Sequence, residues 1–371
     1  MDMQRISRLR STMKSMGLDA FFVTNPKNVL YLTDIPPMME GQVMPFSDPE
    51  YLALVQPARF DVLCDGRYIA EIQHRPGINA NLLQAPVSPR VIGEKIKELL
   101  PAGVKTIGYE SDAVRHCDAV ALMEYLPSYT WKSAEQALAD MRVIKSPAEV
   151  ELIRKAQSMT GQAFEHVCKV IRVGMTEKEV ALEIGNFLRS HSDGNSFNPI
   201  VAFGETGAFP HYVPSPERKL NKGHLVLLDF GGIWKGYCGD LTRMLVMGKA
   251  DARMREVYDL VLTAQQRCLD GIRPGKTGHD LDALCRDYFA SKDCDEAFVH
   301  GTGHGVGLAI HEPPTLKRTF EARVEPGMVF TVEPGLYYPG WGGVRIEDLV
   351  VATESGCENL TPTSKRLVEI N

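Results

Sequence analysis

The sequence has no pair of cysteines at CxxC spacing, no long uninterrupted apolar run and no strongly basic stretch. Each absence removes a class of protein. The eight cysteines (Cys64, Cys117, Cys168, Cys238, Cys268, Cys285, Cys294 and Cys357) are scattered through 371 residues and show no zinc-ribbon pattern. Scattering of this kind fits a reducing cytoplasm better than a disulfide framework. Lys and Arg number 41 against 47 Asp and Glu, for a net charge of −6 and a pI near 6.0. Charge therefore gives no reason to expect nucleic-acid binding. The opening Met-Asp-Met-Gln-Arg-Ile starts an amphipathic pattern. Neither a signal peptide nor a membrane span is read from it, and the expected location is the cytoplasm.

What is present is an ordinary globular composition, 44% apolar and 24% charged. At roughly 150 residues per domain the length predicts two domains or a little more. Residues 3–16 read as a helix, with Ile6, Leu9, Met13 and Met16 at near-helical spacing. Leu18 to Thr24 reads as a buried strand ending at Asn25-Pro26, and Leu30 to Thr33 as a second short apolar segment. Residues 34–50 hold four prolines and read as a long loop, of the kind that is usually functional or mobile. Tyr51 to Gln56, Phe60 to Cys64 and Thr106 to Tyr109 read as strands, and Val91 to Leu100 as a helix. That alternation predicts an α/β N-terminal domain. Asp65, Arg67 and Tyr68 read as a turn with a structural ion pair. Residues 138–148 read as the junction, with Ser146-Pro147 starting a long amphipathic helix as N-cap and first-turn proline.

An internal repeat follows. Ile171-Arg-Val-Gly-Met-Thr-Glu-Lys-Glu-Val180 and Ile272-Arg-Pro-Gly-Lys-Thr-Gly-His-Asp-Leu281 align at an offset of 101 residues. Thr176 and Glu179 form a capping box in the first copy. Two helix joints with the same cap chemistry would explain the Gly and Thr alone. The flanking pattern repeats too, which favours duplicated halves related by a pseudo-twofold axis, facing each other across a cleft.

Chemistry collects in the second half. Leu225-Val-Leu-Leu-Asp229 and Met328-Val-Phe-Thr-Val-Glu333 are apolar strands ending in an acid. A buried strand does not carry a carboxylate unless the group is paired or bound to metal. Gly231-Gly232 turns the chain back to Asp240, so a hairpin could set Asp229 and Asp240 face to face; a surface hairpin with two solvated acids is the alternative. In Gly343-Val-Arg345-Ile-Glu347, the period of two puts Arg345 and Glu347 on one face, where a plain cross-strand ion pair would also be satisfied. His300-Gly-Thr-Gly-His304-Gly-Val-Gly-Leu-Ala-Ile-His311-Glu312 places three histidines and four glycines within thirteen residues. Glycine is entropically costly filler, so this backbone is expected to pass close to something. Four buried acids would repel unless hard divalent cations held their charge. Bridging carboxylates would suit a two-metal centre. An oxygen-rich set with one imidazole favours Mn²⁺ or a similar first-row ion.

The motifs Leu-Leu-Asp229-Phe-Gly, Gly-Asp240-Leu-Thr-Arg, Gly-Thr-Gly-His304-Gly-Val-Gly, Thr-Val-Glu333-Pro-Gly and Val-Arg-Ile-Glu347-Asp resemble the pita-bread metallopeptidases. Within them the chain is similar to the Xaa-Pro peptidases, prolidase (Xaa-Pro dipeptidase) and aminopeptidase P. The resemblance implies a creatinase-type α/β N-terminal domain over 1–140 and an α+β pita-bread catalytic domain with pseudo-twofold halves over 141–371. It implies ligand roles for Asp229, Asp240, His304, Glu333 and Glu347, with Asp240 and Glu347 bridging two divalent ions, Mn²⁺ foremost and Co²⁺ or Zn²⁺ as alternatives. His211 and His311 match substrate-contacting histidines, His300 lines the same pocket, and Tyr337 and Arg345 fall at active-site positions. The substrates implied are proline-containing dipeptides or short peptides, cleaved with Glu333 as proton acceptor. A homodimer is implied, with the 34–50 loop capping the neighbour's cleft. Cleavage of longer peptides, as by aminopeptidase P, is the rival within the class. The short N-terminal domain leans towards prolidase. A creatine-amidinohydrolase-like enzyme and a non-catalytic binding protein are the rivals outside the class. Such members do not use or have lost the metal ligands, and here all five are present.

Overall fold

The computed structural model describes residues 2–37 and 43–371, which form two compact units, Met1–Met141 and Arg142–Asn371. Residues 38–42 of the proline-rich loop, on which the capping expectation rests, lie outside the described residues. Among the described residues no helix is long and apolar enough to cross a membrane.

The first unit is built on a six-stranded mixed sheet in the order Asn79–Leu82, Phe60–Cys64, Leu52–Val55, Ala20–Val23, Thr106–Tyr109, Thr130–Ser133. The central strands pair antiparallel, and Ala20–Val23 pairs parallel with Thr106–Tyr109. Its core gathers Phe22, Leu54 and Leu63 with Ile92 and Ile96 of the helix Pro89–Leu99 and with Ile107. The apolar segment Leu30–Thr33 is the end of a helix, Pro26–Thr33. Asn25 caps it through the Lys27 N–H, and Pro26 fits its first turn. Arg67 pairs with Asp65 as expected of that turn.

The second unit has the duplicated plan. A helix pair, Pro147–Val170 and Glu177–His191, covers a four-stranded sheet ordered Val368–Ile370, Leu241–Met247, Leu225–Phe230, Ile200–Phe203. A second pair, Ala252–Gly271 and Gly278–Ala290, packs with a five-stranded sheet ordered Glu312–Leu316, Gly303–Gly305, Val329–Val332, Asp348–Ala352, Cys357–Asn359. The buried apolar side chains gather in two clusters, the second of which also takes Leu225, Leu227 and Val246 from the first half's sheet. Phe164, Ile184 and Leu188 meet Val201, Leu228 and Phe230 in the first. Val261, Cys268, Cys285 and Phe289 meet Phe330 and Val350 in the second. Both repeated joints end in a capping box, Thr176 with Glu179 and Thr277 with Asp280. Each cap threonine also makes an isolated antiparallel bridge, to Lys219 and to Arg323. The long helix starts at a third capping box, Ser146 with Glu149.

Candidate metal centre

The strand Leu225–Phe230 is buried along its whole length and runs antiparallel to Leu241–Met247, with Asp229 opposite Thr242. Just beyond it the backbone has no room for a side chain. A Cβ on Gly231 would lie 1.8 Å from the Gly239 carbonyl oxygen. Ser196 Oγ ties the two turns together, donating to the carbonyls of Gly232 and Gly239 at 2.9 Å each. This closed hairpin delivers the chain to Asp240. The Asp240 backbone is then held on both sides by buried Gln157: its N–H donates to Gln157 Oε1 (2.8 Å) and its carbonyl accepts from Nε2 (2.7 Å).

His304 sits on the short strand Gly303–Gly305, and its backbone N–H donates to Thr331 Oγ1 at 3.0 Å. The glycines on either side are required by crowding. A Cβ on Gly303 would meet the Thr331 carbonyl oxygen at 2.0 Å, and one on Gly305 the Glu312 carbonyl oxygen at 2.4 Å. Thr331 Oγ1 donates to Glu333 Oε1 at 3.0 Å. His304 Nε2 then stands 3.2 Å from Glu333 Oε1 and 3.5 Å from Asp240 Oδ2. Glu347 Oε2 accepts from Thr242 Oγ1 at 2.7 Å, and the same hydroxyl accepts from Arg345 Nε at 3.0 Å. Ligand atoms of Asp240, His304 and Glu347 all lie within 4.8 Å of one another. Asp229 pairs with Arg345 Nη2. The Arg345–Glu347 ion pair allowed by the sequence is replaced by this Arg345–Asp229 pair, while Arg345 and Glu347 meet through Thr242.

Burial sets the charge states. It pushes the carboxyls of Asp240 and Glu347 well above their ordinary range, and the neighbouring carboxylates add to the rise. Asp229 is also raised by burial, against the pull of Arg345. Burial opposes ionisation of Glu333, yet its hydrogen bond and charge contact with His304 outweigh this and bring it down to about 2. For His304, burial works against protonation, and the Glu333 partnership overcomes it and raises the imidazole. Two oxygens, Asp229 Oδ1 and Glu347 Oε1, are buried with no hydrogen-bond partner. An orphaned buried carboxylate oxygen is costly. A divalent cation relieves both the orphaned oxygens and the crowding, so the residues fit a hard-metal site.

The centre opens into a cleft of about 680 Å³ within the second unit. Asp229, Asp240, His304, Glu333 and Glu347 line it, and so do His211, His300, His311 and Arg345. Tyr337 stands behind that lining. Its hydroxyl lies 2.8 Å from His300 Nε2 and accepts from Arg345 Nη1 at 2.7 Å. Burial pushes the Tyr337 phenol up to about 12, so it stays protonated. The His304 and His311 rings meet edge to face at 4.2 Å. Gln157 and Thr242, which hold the acids in place, carry no signal in the sequence. Both act through partners at least 83 residues away, and no local pattern marks them.

Known proteins place this architecture. Residues 151–354 match the model of metallopeptidase family M24, and residues 5–144 that of the creatinase/prolidase N-terminal domain. The Xaa-Pro dipeptidase of Pyrococcus furiosus is 31% identical over 98% of this chain and 99% of its own length. The structure of an Xaa-Pro dipeptidase from Bacillus anthracis superposes with a TM-score of 0.89 at 35% identity, covering 99% of each chain. An X-Pro aminopeptidase from Thermotoga maritima does so with a TM-score of 0.85 at 28% identity, covering 97% of this chain and 100% of its own. The chain belongs to metallopeptidase family M24, hydrolases of the pita-bread fold, with a creatinase/prolidase-type N-terminal domain.

Proposed function

We propose that the protein is an Xaa-Pro dipeptidase that hydrolyses the bond between an N-terminal residue and proline. The observation carrying this reading is the convergence of buried Asp240, Glu347 and His304 within 4.8 Å, flanked by Glu333 and Asp229, on one cleft. In this reading those five side chains hold two divalent ions, with Mn²⁺ favoured by the oxygen-rich donor set. Divalent cations held there would supply Lewis-acid polarisation of the scissile carbonyl and a lowered pKa for water. Glu333, on the edge of the centre beside His304, accepts a proton and returns it to the leaving nitrogen. His211 and His311 donate to the scissile carbonyl oxygen as negative charge gathers there, a preorganised electrostatic role. His300, fixed by Tyr337, borders the substrate, and Arg345 balances the charge of Asp229. Proline matters because its imide nitrogen has no N–H for an ordinary peptidase to grip. The reading takes 1–140 as the N-terminal domain, 141–371 as the catalytic domain, and the active form as a cytoplasmic homodimer.

Cleavage of longer peptides is the second reading. A cleft of about 680 Å³ lies within the range that takes drug-sized ligands, which is the observation favouring it. One assay separates the two. Metal-stripped protein is reconstituted with each divalent ion in turn, then given Xaa-Pro and Xaa-Pro-Yaa. Proline release from dipeptides alone supports the dipeptidase, and cleavage of tripeptides assigns aminopeptidase activity. Failure on both sinks the proposal.

A further inference from the structure

Several acids outside the metal centre are fully buried, and two of them occupy matching places in the duplicated halves. Glu177 and Asp282 are each 0% exposed. They lie on the second helix of each half, Glu177–His191 and Gly278–Ala290. Burying a carboxylate costs several kcal/mol unless it is paired and hydrogen-bonded. Neither acid caps its own helix, because Thr176 with Glu179 and Thr277 with Asp280 already fill that role.

Both acids reach instead to segments that carry histidines of the cleft. Glu177 Oε1 accepts from the Phe203 N–H (2.9 Å) and Thr206 Oγ1 (2.6 Å). Its Oε2 accepts from the Ser215 N–H (3.1 Å). One carboxylate thereby fastens both ends of the 203–215 segment, which holds His211. Arg218, 3.8 Å from Glu177, donates from Nε to the Phe203 carbonyl (3.0 Å). Asp282 repeats the device. Its Oδ1 accepts from the Thr302 N–H (3.0 Å) and Thr302 Oγ1 (2.8 Å). Its partner Arg286 donates to the carbonyls of Phe298 and His300. Each half thus uses a buried acid, a threonine hydroxyl, a backbone N–H and an arginine on the carbonyls of the segment.

We propose that Glu177 and Asp282 are positioning residues, Glu177 acting through His211 and Asp282 through His300. This rests on the reading above, in which those histidines face the substrate. Glu177→Gln sets an amide N–H against donors that now meet a carboxylate oxygen, and Asp282→Asn does the same at Thr302. A side chain misplaced by about 1 Å near the chemistry can cost on the order of 10²-fold in rate.

The test is a pair of crossed double-mutant cycles on the metal-loaded enzyme, read as kcat/KM for an Xaa-Pro dipeptide, with bound metal measured alongside. Each single variant, E177Q, D282N, H211A and H300A, is expected to lose on the order of 10²-fold with its metal content unchanged. E177Q should then cost no more than about twofold in the H211A background, the tolerance within which independent sites add, and its full effect in the H300A background. D282N should show the mirror pattern. If E177Q or D282N fails to fold, T206V and T302V remove the bridging hydroxyls and take their place. Equal losses in both histidine backgrounds overturn the inference while leaving the functional reading intact. H211A and H300A variants with wild-type kcat/KM overturn the inference and the placing of those histidines at the substrate, whereas absence of Xaa-Pro hydrolysis by the metal-loaded wild type overturns the functional reading itself.

Discussion

Replacing Gly231 by alanine tests how the two aspartates are brought together. The added Cβ would lie 1.8 Å from the Gly239 carbonyl oxygen, 2.7 Å from its carbon and 2.9 Å from Ser196 Oγ. Non-bonded heavy atoms rest at roughly 3.5 Å, so the two backbones must part by well over an ångström. No flexible side chain can absorb that, because the nearest atoms are backbone. Separation stretches both Ser196 Oγ hydrogen bonds and moves Asp240 relative to Asp229. Overpacking of this kind costs about 1–3 kcal/mol of stability. Displacement of a ligand by about 1 Å costs on the order of 10²-fold in rate. Expected for G231A is a folded protein with a lower Tm, weakened metal binding by calorimetry and kcat/KM reduced on that scale. Wild-type metal affinity and turnover in a well-folded G231A protein would refute the claim that this hairpin sets the ligand geometry.

Lys145 Nζ is buried 2.9 Å from Glu312 Oε1, and Arg142 holds the other oxygen. Breaking a buried pair costs 3–5 kcal/mol, and with Arg142 still in place K145M should cost about 2 kcal/mol. That corresponds to a Tm lower by about 4–8 °C, and an unchanged Tm contradicts it. In the first unit, burial pushes Glu110 from 4.5 up to about 7, against donors from Thr24, Asn25 and Asn28. A raised carboxyl pKa means the folded state holds the proton longer, so its stabilisation is full below pH 4.5 and lost as pH rises through about 7. The loss is about 3 kcal/mol at most. Thermal melts between pH 5 and 8 should show it in the wild type and not in E110Q, and an equal slope in both variants contradicts the assignment.

What was legible in the sequence was local. Apolar strands ending at Asp229 and Glu333 announce themselves because burial leaves an acid no ordinary place. The repeat at 101 residues exposed the duplicated halves, since cap chemistry is written in a few adjacent residues. Thr106–Tyr109 was readable as a strand, whereas Asn79–Leu82 and Thr130–Ser133 were not. These two lie at the sheet edges, largely exposed, and carry no apolar run. Leu30–Thr33 reads as a separate segment because a proline after Asn25 can end a strand as well as start a helix, and here it starts one. Long-range polar contacts stayed hidden. Gln157, Thr242, Glu177 and Asp282 sit in or beside regular elements like any solvated residue, and only folding brings their partners near.

The most direct measurement is metal stoichiometry paired with turnover. Wild-type protein, stripped and then titrated with Mn²⁺, should take up two ions per chain and gain Xaa-Pro hydrolysis as they bind. Asp240→Asn should lose both metal binding and hydrolysis while retaining its fold by circular dichroism. Full hydrolysis by metal-free wild type, or by Asp240→Asn, would contradict the assignment of the centre.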